Sequence, residues 1–139
     1  MQDEEIRKIF KNCNYGISVE QKNTYKTGIR IRPWIETKNI TRYNLKEVKV
    51  LLLNRGINIS IVNKKIKLQG YSNCKLLSEI TKTEPYWWRK IMEMIKNEEH
   101  LHESGIKQII NIRNKFRGRR GTKTKWTKNK AEKYMYEKS

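Results

Sequence analysis

The stretch Gly28–Glu36 sets the tightest limit on what this chain can fold into. Ile29, Ile31 and Ile35 share one parity, while Arg30, Arg32 and Trp34 share the other. A helix turns by about 100° per residue and would scatter these two sets around its circumference. A strand, with its period of two, puts all the isoleucines on one face and all the cations on the opposite one. The isoleucine face must be covered by helices; the other face is left for solvent or a polar partner. No apolar run approaches the ~20 residues that a membrane span needs, and the first residues, Met1-Gln2-Asp3-Glu4-Glu5, are acidic rather than signal-like.

The same period recurs upstream. Tyr15, Ile17 and Val19 alternate with Gly16, Ser18 and Glu20, and the turn-prone Lys22-Asn23-Thr24 follows, so the two segments predict an antiparallel hairpin. Before it, Ile6, Ile9 and Phe10 at helical spacing predict a short helix over 3–12, with acids at its N-terminal end. Asn44 and Glu47 have the spacing of a capping box and open a helix carrying Leu45, Val48, Leu52 and Leu53, which Gly56 ends. Ile57, Ile59 and Ile61 alternate with Asn58 and Ser60; after a tight turn at Val62-Asn63-Lys64, Ile66, Leu68 and Gly70 alternate with Lys65, Lys67 and Gln69. A third helix is expected over 72–80. Two more helices follow, one capped by Thr83 with Pro85 in its first turn, the other holding Ile106 to Phe116. The expected fold is α+β: an αββαββα unit with an antiparallel four-stranded sheet, C-terminal helices and a basic tail. The division expected is an α/β core over 1–82, a helical subdomain over 83–116 and an extended tail over 117–139.

Charge then narrows the partner. The chain of 139 residues carries 32 Lys and Arg against 14 Asp and Glu, a formal net charge of +18. So large an excess on so small a body favours a polyanion, with nucleic acid the foremost candidate. Residues 113–139 hold 11 of the basic side chains against two acids. Arg113, Arg117, Arg119, Arg120, Lys123 and Lys125, with Trp126 for base stacking, read as a phosphate-binding arm. The polar face of the sheet supplies a second surface. Lys22, Arg30, Arg32, Trp34, Lys65, Lys67 and Gln69 combine cations with groups suited to base edges, and Glu20 and Glu36 are its acidic exceptions.

Three stretches carry a resemblance: Asn12–Glu20, Tyr25–Ile35 and, most specific, Ile95–Arg113 with its late helix–turn–helix. In this order and spacing, residues 6–116 resemble the LAGLIDADG homing endonucleases, which straddle DNA with a concave basic sheet. The resemblance implies that the first helix should end in an acid that binds the divalent metal for phosphodiester cleavage. The corresponding region here offers Asn12 and Asn14, with Asn14 expected at the catalytic position, and a neutral amide is a poor ligand for a hard cation beside a carboxylate. Glu20 is the nearby substitute. The motif helix of the family also carries small residues where two copies meet; here it reads Arg7-Lys8-Ile9-Phe10-Lys11, which predicts a monomer outside any complex.

Other chemistry has little support. His100 and His102 lack companions at zinc-ligand spacing, and no metal or cofactor is expected. Cys13 and Cys74 are expected to be reduced. No phosphate-binding loop, dinucleotide fingerprint or nucleophile triad is visible. The leading expectation is therefore a non-cutting protein that binds structured RNA, as a ribosome-associated protein on ribosomal RNA or as an intron maturase. The rivals are an active DNA endonuclease that recruits Glu20 and a DNA-binding regulator. An intracellular site is expected, in the cytoplasm or an organelle such as the mitochondrion.

Overall fold

The computed structural model describes residues 3–40 and 42–116. Its elements run α1 (Asp3–Ile9), β1 (Asn14–Gln21), β2 (Ile29–Glu36), α2 (Leu45–Leu53), β3 (Ser60–Val62), β4 (Lys65–Gln69), α3 (Tyr71–Thr81), α4 (Tyr86–Lys96) and α5 (Glu103–Phe116), with a short 3-10 turn at Glu99–Leu101. The αββαββα order and the two additional helices match the expectation. The strands form one sheet in the order β1-β2-β4-β3. β4 runs antiparallel to both neighbours, with Ile35 level with Leu68 and Ile61 level with Ile66.

Local chemistry explains the boundaries. The first helix stops at Ile9 rather than Asn12, because Asn12 adopts a left-handed φ of 62°. Asn tolerates that region better than most residues, and the chain tightens there through Lys11 N–H to Lys8 O and Cys13 N–H to Phe10 O. Asn44 caps α2 as expected, its Oδ1 accepting from the amides of Lys46 and Glu47 at 3.1 and 3.2 Å. The turn between β3 and β4 has φ of 52° at Asn63 and 63° at Lys64, the positive values that a two-residue hairpin of matching twist requires.

Two expectations are corrected. The third strand does not begin at Ile57: Ile57 and Ile59 are buried but precede the ladder, and the Asn58 amide donates to Asn73 Oδ1 at 3.0 Å instead of to a strand. Thr83 does not cap α4, which starts only at Tyr86; its hydroxyl pairs with the Tyr15 hydroxyl at 2.8 Å.

Compactness groups the chain into two units, each drawn from separate stretches. Among the described residues, the first joins the chain from Asp3 to Gly16 with Pro33–Pro85. Here α1 packs on α3, and Ile6, Phe10, Ile35, Leu52, Ile57, Ile66, Leu68 and Leu77 are fully buried. Among the described residues, the second joins Ile17–Arg32 with the chain from Tyr86 to Phe116. Here α4 packs on α5 around Trp88, Ile91, Ile106, Ile109 and Ile110. Gly105 meets the Glu99 carbonyl so closely that a methyl group would overlap it. At roughly 1.5–3 kcal/mol for each large apolar side chain removed from water, these clusters dominate the stability of both units.

Candidate nucleic-acid interface

The alternation that the sequence announced is realised on β2. Ile29, Ile31, Pro33 and Ile35 are buried, while Arg30, Arg32, Trp34 and Glu36 are half-exposed on the opposite face. On β4, Ile66 and Leu68 are buried, and Lys65, Lys67 and Gln69 look the other way. The predicted polar residues of both strands thus lie on polar strand faces, but each has neighbours that the sequence did not declare.

In the first unit, one side of the Trp34 indole rests directly on Gly16. A Cβ at Gly16 would overlap the indole Cζ2 and Cε2, so only glycine admits the ring. The Lys67 ammonium stands over the same ring, 5.4 Å from its centroid. Such a cation–π contact near water is worth only about 0.5–1 kcal/mol, weak enough for a phosphate to draw the lysine away. Gln69 is level with Trp34, and Ser60 and Glu36 are level with Lys67 on either side. Lys65 Nζ comes within 3.9 Å of the Glu36 carboxylate, a loose surface pair.

In the second unit, Glu20 grips Arg30. The guanidinium donates to the carboxylate at 2.5 Å, and this hydrogen bond raises the Arg30 pKa further above its ordinary value. Lys22 lies on the loop rather than on the strand; its amide donates to the Gly28 carbonyl at 2.8 Å and closes the hairpin. Arg113 is turned inward, only 9% exposed, and its Nε donates to the Ile17 carbonyl at 2.6 Å. It holds the last helix to β1. Arg117, Arg119, Arg120, Lys123, Lys125 and Trp126 lie outside the described residues.

Asn14 is the exposed first residue of β1, two positions past the left-handed Asn12. Among the described residues, no three His, Cys, Asp or Glu side chains gather in a metal-binding arrangement. His100 is half-buried, and that burial lowers its pKa. Cys13 and Cys74 are both free thiols. A cleft of about 190 Å³ between α1 and α2, lined by Glu5, Lys8, Tyr43, Glu47 and apolar neighbours, is smaller than the ~300 Å³ at which small-molecule sites begin.

Sequence reasoning named Trp34 and Lys67 but gave no role to Gly16 and treated Glu20 as an exception. A glycine inside a strand is itself a signal of close approach. Counting outward in step from the 22–28 loop brings Gly16 level with Trp34 and Glu20 level with Arg30, which would have exposed both contacts.

No protein-family model and no curated protein matches the sequence. Solved structures do. The archaeal intron-encoded homing endonuclease I-Vdi141I, complexed with DNA, superposes with a TM-score of 0.72 at 17% identity, over 98% of this chain and 95% of that one. The homing endonuclease I-TnaI gives 0.63 at 15% identity, over 100% and 99%. The LAGLIDADG meganuclease I-CpaMI, bound to uncleaved DNA, gives 0.58 at 21% identity, over 79% of this chain and 41% of that longer one. The fold is that of the LAGLIDADG homing endonucleases. At these identities the agreement concerns the homing-endonuclease fold, so each residue's role has to be argued from its own chemistry. No helix among the described residues is long and apolar enough to cross a membrane.

Proposed function

We propose that this chain binds structured nucleic acid through the polar strand faces of a homing-endonuclease fold and does not cut it, RNA being the target. The observation that carries this reading is the half-exposed row Arg30, Arg32 and Trp34 on β2, opposite buried isoleucines. Lys65 and Lys67 extend the same chemistry on β4. Two similar structures were solved with DNA, so a duplex-like partner suits this architecture. The neutral Asn14, where the resemblance calls for a metal-binding carboxylate, supports binding without cleavage. The run Arg117-Gly118-Arg119-Arg120-Gly121 supports RNA over DNA, since arginine-rich segments of this composition fold onto RNA. A ribonucleoprotein such as a ribosome, or an intron under splicing, is the setting this reading proposes inside the cell.

The test uses the full chain against labelled structured RNA and duplex DNA over a range of salt, with Mg²⁺ or Mn²⁺ present. Binding to RNA with a steep salt dependence and no strand scission is expected. Divalent-dependent double-strand cutting that disappears on Glu20→Gln would replace the reading with an endonuclease. A second reading, a non-cutting DNA regulator, is favoured by the DNA complexes of the similar structures. Tighter binding to duplex DNA than to any structured RNA would establish it.

A further inference from the structure

Trp34 is a large aromatic side chain set on the polar side of a strand, yet it is not loose there. Gly16 backbone fills one side of the indole, where a Cβ would overlap three ring atoms, Cζ2, Cε2 and Nε1. The Lys67 ammonium stands over the ring, 5.4 Å from its centroid. The indole is therefore held against Gly16, with one π-face under the Lys67 ammonium.

We infer that Gly16, Trp34 and Lys67 form a stacking seat for one unpaired nucleobase, with Lys67 moving from the ring onto that nucleotide's phosphate as the base takes its place. The inference rests on the reading of the strand faces as a nucleic-acid surface and narrows it to RNA with a bulged or looped-out base. A base inside a duplex shows a protein its edges, whereas an unpaired base offers a whole π-face. Stacking on an aromatic side chain tolerates any base, because every base has such a face. The glycine floor matters because an indole free to swing would lose that freedom on stacking, whereas one already laid on the backbone loses little. Lys67 covers one face of the ring in the free protein, and a phosphate is the stronger partner for an ammonium.

The experiment uses the full chain and one RNA stem-loop in two forms: fully paired in the stem, or with a single bulged 2-aminopurine. Wild type should bind the bulged stem about tenfold more tightly than the paired one, in line with the usual worth of base–aromatic stacking, and should quench the 2-aminopurine. Trp34→Leu should abolish both the preference and the quenching, bringing affinity for the bulged stem down to that for the paired one, and Trp34→Phe should keep part of each. Lys67→Gln should keep the quenching and flatten the salt dependence on the bulged stem by close to one slope unit. Quenching by wild type needs no variant, so a poorly folded Trp34→Leu leaves the test intact. Equal affinity for the two stems without quenching, with Arg32→Ala still weakening both, would overturn the seat and leave the surface standing. No binding to either stem, or binding indifferent to Arg32→Ala and Lys65→Ala, would overturn the surface itself and the seat with it.

Discussion

Two cations on the polar strand faces, Arg30 and Lys67, look equivalent in the sequence and sit in opposite circumstances. Arg30 donates to Glu20 at 2.5 Å, so the charge it could offer a phosphate is already answered by a carboxylate. Lys67 rests over a neutral indole, which attracts its charge without cancelling it. The comparison teaches that counting basic residues on a strand face overstates its field. What a phosphate meets is each cation less the acid that already holds it. It also separates two arrangements: the Glu20–Arg30 pair fixes a side chain within the hairpin, whereas the Trp34–Lys67 pair leaves the ammonium charge uncancelled.

The largest effect expected from breaking this contrast is at Gly16. Gly16→Val puts two methyl groups where the indole lies, and overpacking of this kind should cost about 3 kcal/mol in urea denaturation. Trp34 emission should shift to longer wavelength as the ring is expelled toward water. An unchanged denaturation midpoint would mean that the ring moves aside freely and that no fixed floor exists. Arg113→Met should come next, at about 2 kcal/mol, because it leaves the Ile17 carbonyl without its charged donor. RNA affinity should hardly move, since Arg113 faces inward; a large loss of affinity in a fully folded variant would put Arg113 among the phosphate-binding cations after all.

Glu20→Gln sharpens the contrast from the other side. Releasing Arg30 should tighten RNA binding and steepen the plot of log affinity against log salt by about 0.9, the worth of one added phosphate contact. The matching Glu36→Gln should do less, because Lys65 is only loosely paired at 3.9 Å. Equal responses at the two acids would erase the distinction drawn between them. A separate effect concerns pH. Burial pushes the Tyr15 hydroxyl, ordinarily at 10.0, and the Cys74 thiol, ordinarily at 9.0, up to about 12. The unfolded chain releases these protons before the folded one does, so folding stability should fall as pH rises from about 9 and level off near 12. Tyr15→Phe should make that fall shallower in denaturation midpoints measured across the window; a slope identical to wild type would show that Tyr15 contributes nothing to it.

Much of this molecule was legible before any coordinates. The period of two in Ile29, Ile31 and Ile35 survives folding because a strand has only two faces and isoleucine strongly prefers the dry one. The Asn44 cap and the Asn63-Lys64 turn were readable because a helix start and a tight hairpin depend on a few consecutive residues. The start of β3 was missed because Asn73, fifteen positions away, supplies the acceptor for Asn58 that a ladder would otherwise provide. Thr83 went to Tyr15 for the same reason, a partner remote in sequence and close in space. The two compact units are each built from separate stretches, because contacts, not sequence proximity, define them.

The sequence by itself determined the elements, their order, the dry and wet faces of each strand and the basic character of the wet one. Those are properties of residues within a few positions of one another, where periodicity and propensity act alone. The tertiary structure decided which cations remain available. It set Glu20 on Arg30, drew Arg113 inward to Ile17, and laid Trp34 on Gly16 beneath Lys67. Each of these turns on a separation of a few ångströms between residues that are 10 to 96 positions apart or on different strands. Coulomb attraction and steric overlap depend on distance in space, and only the folded chain fixes that distance.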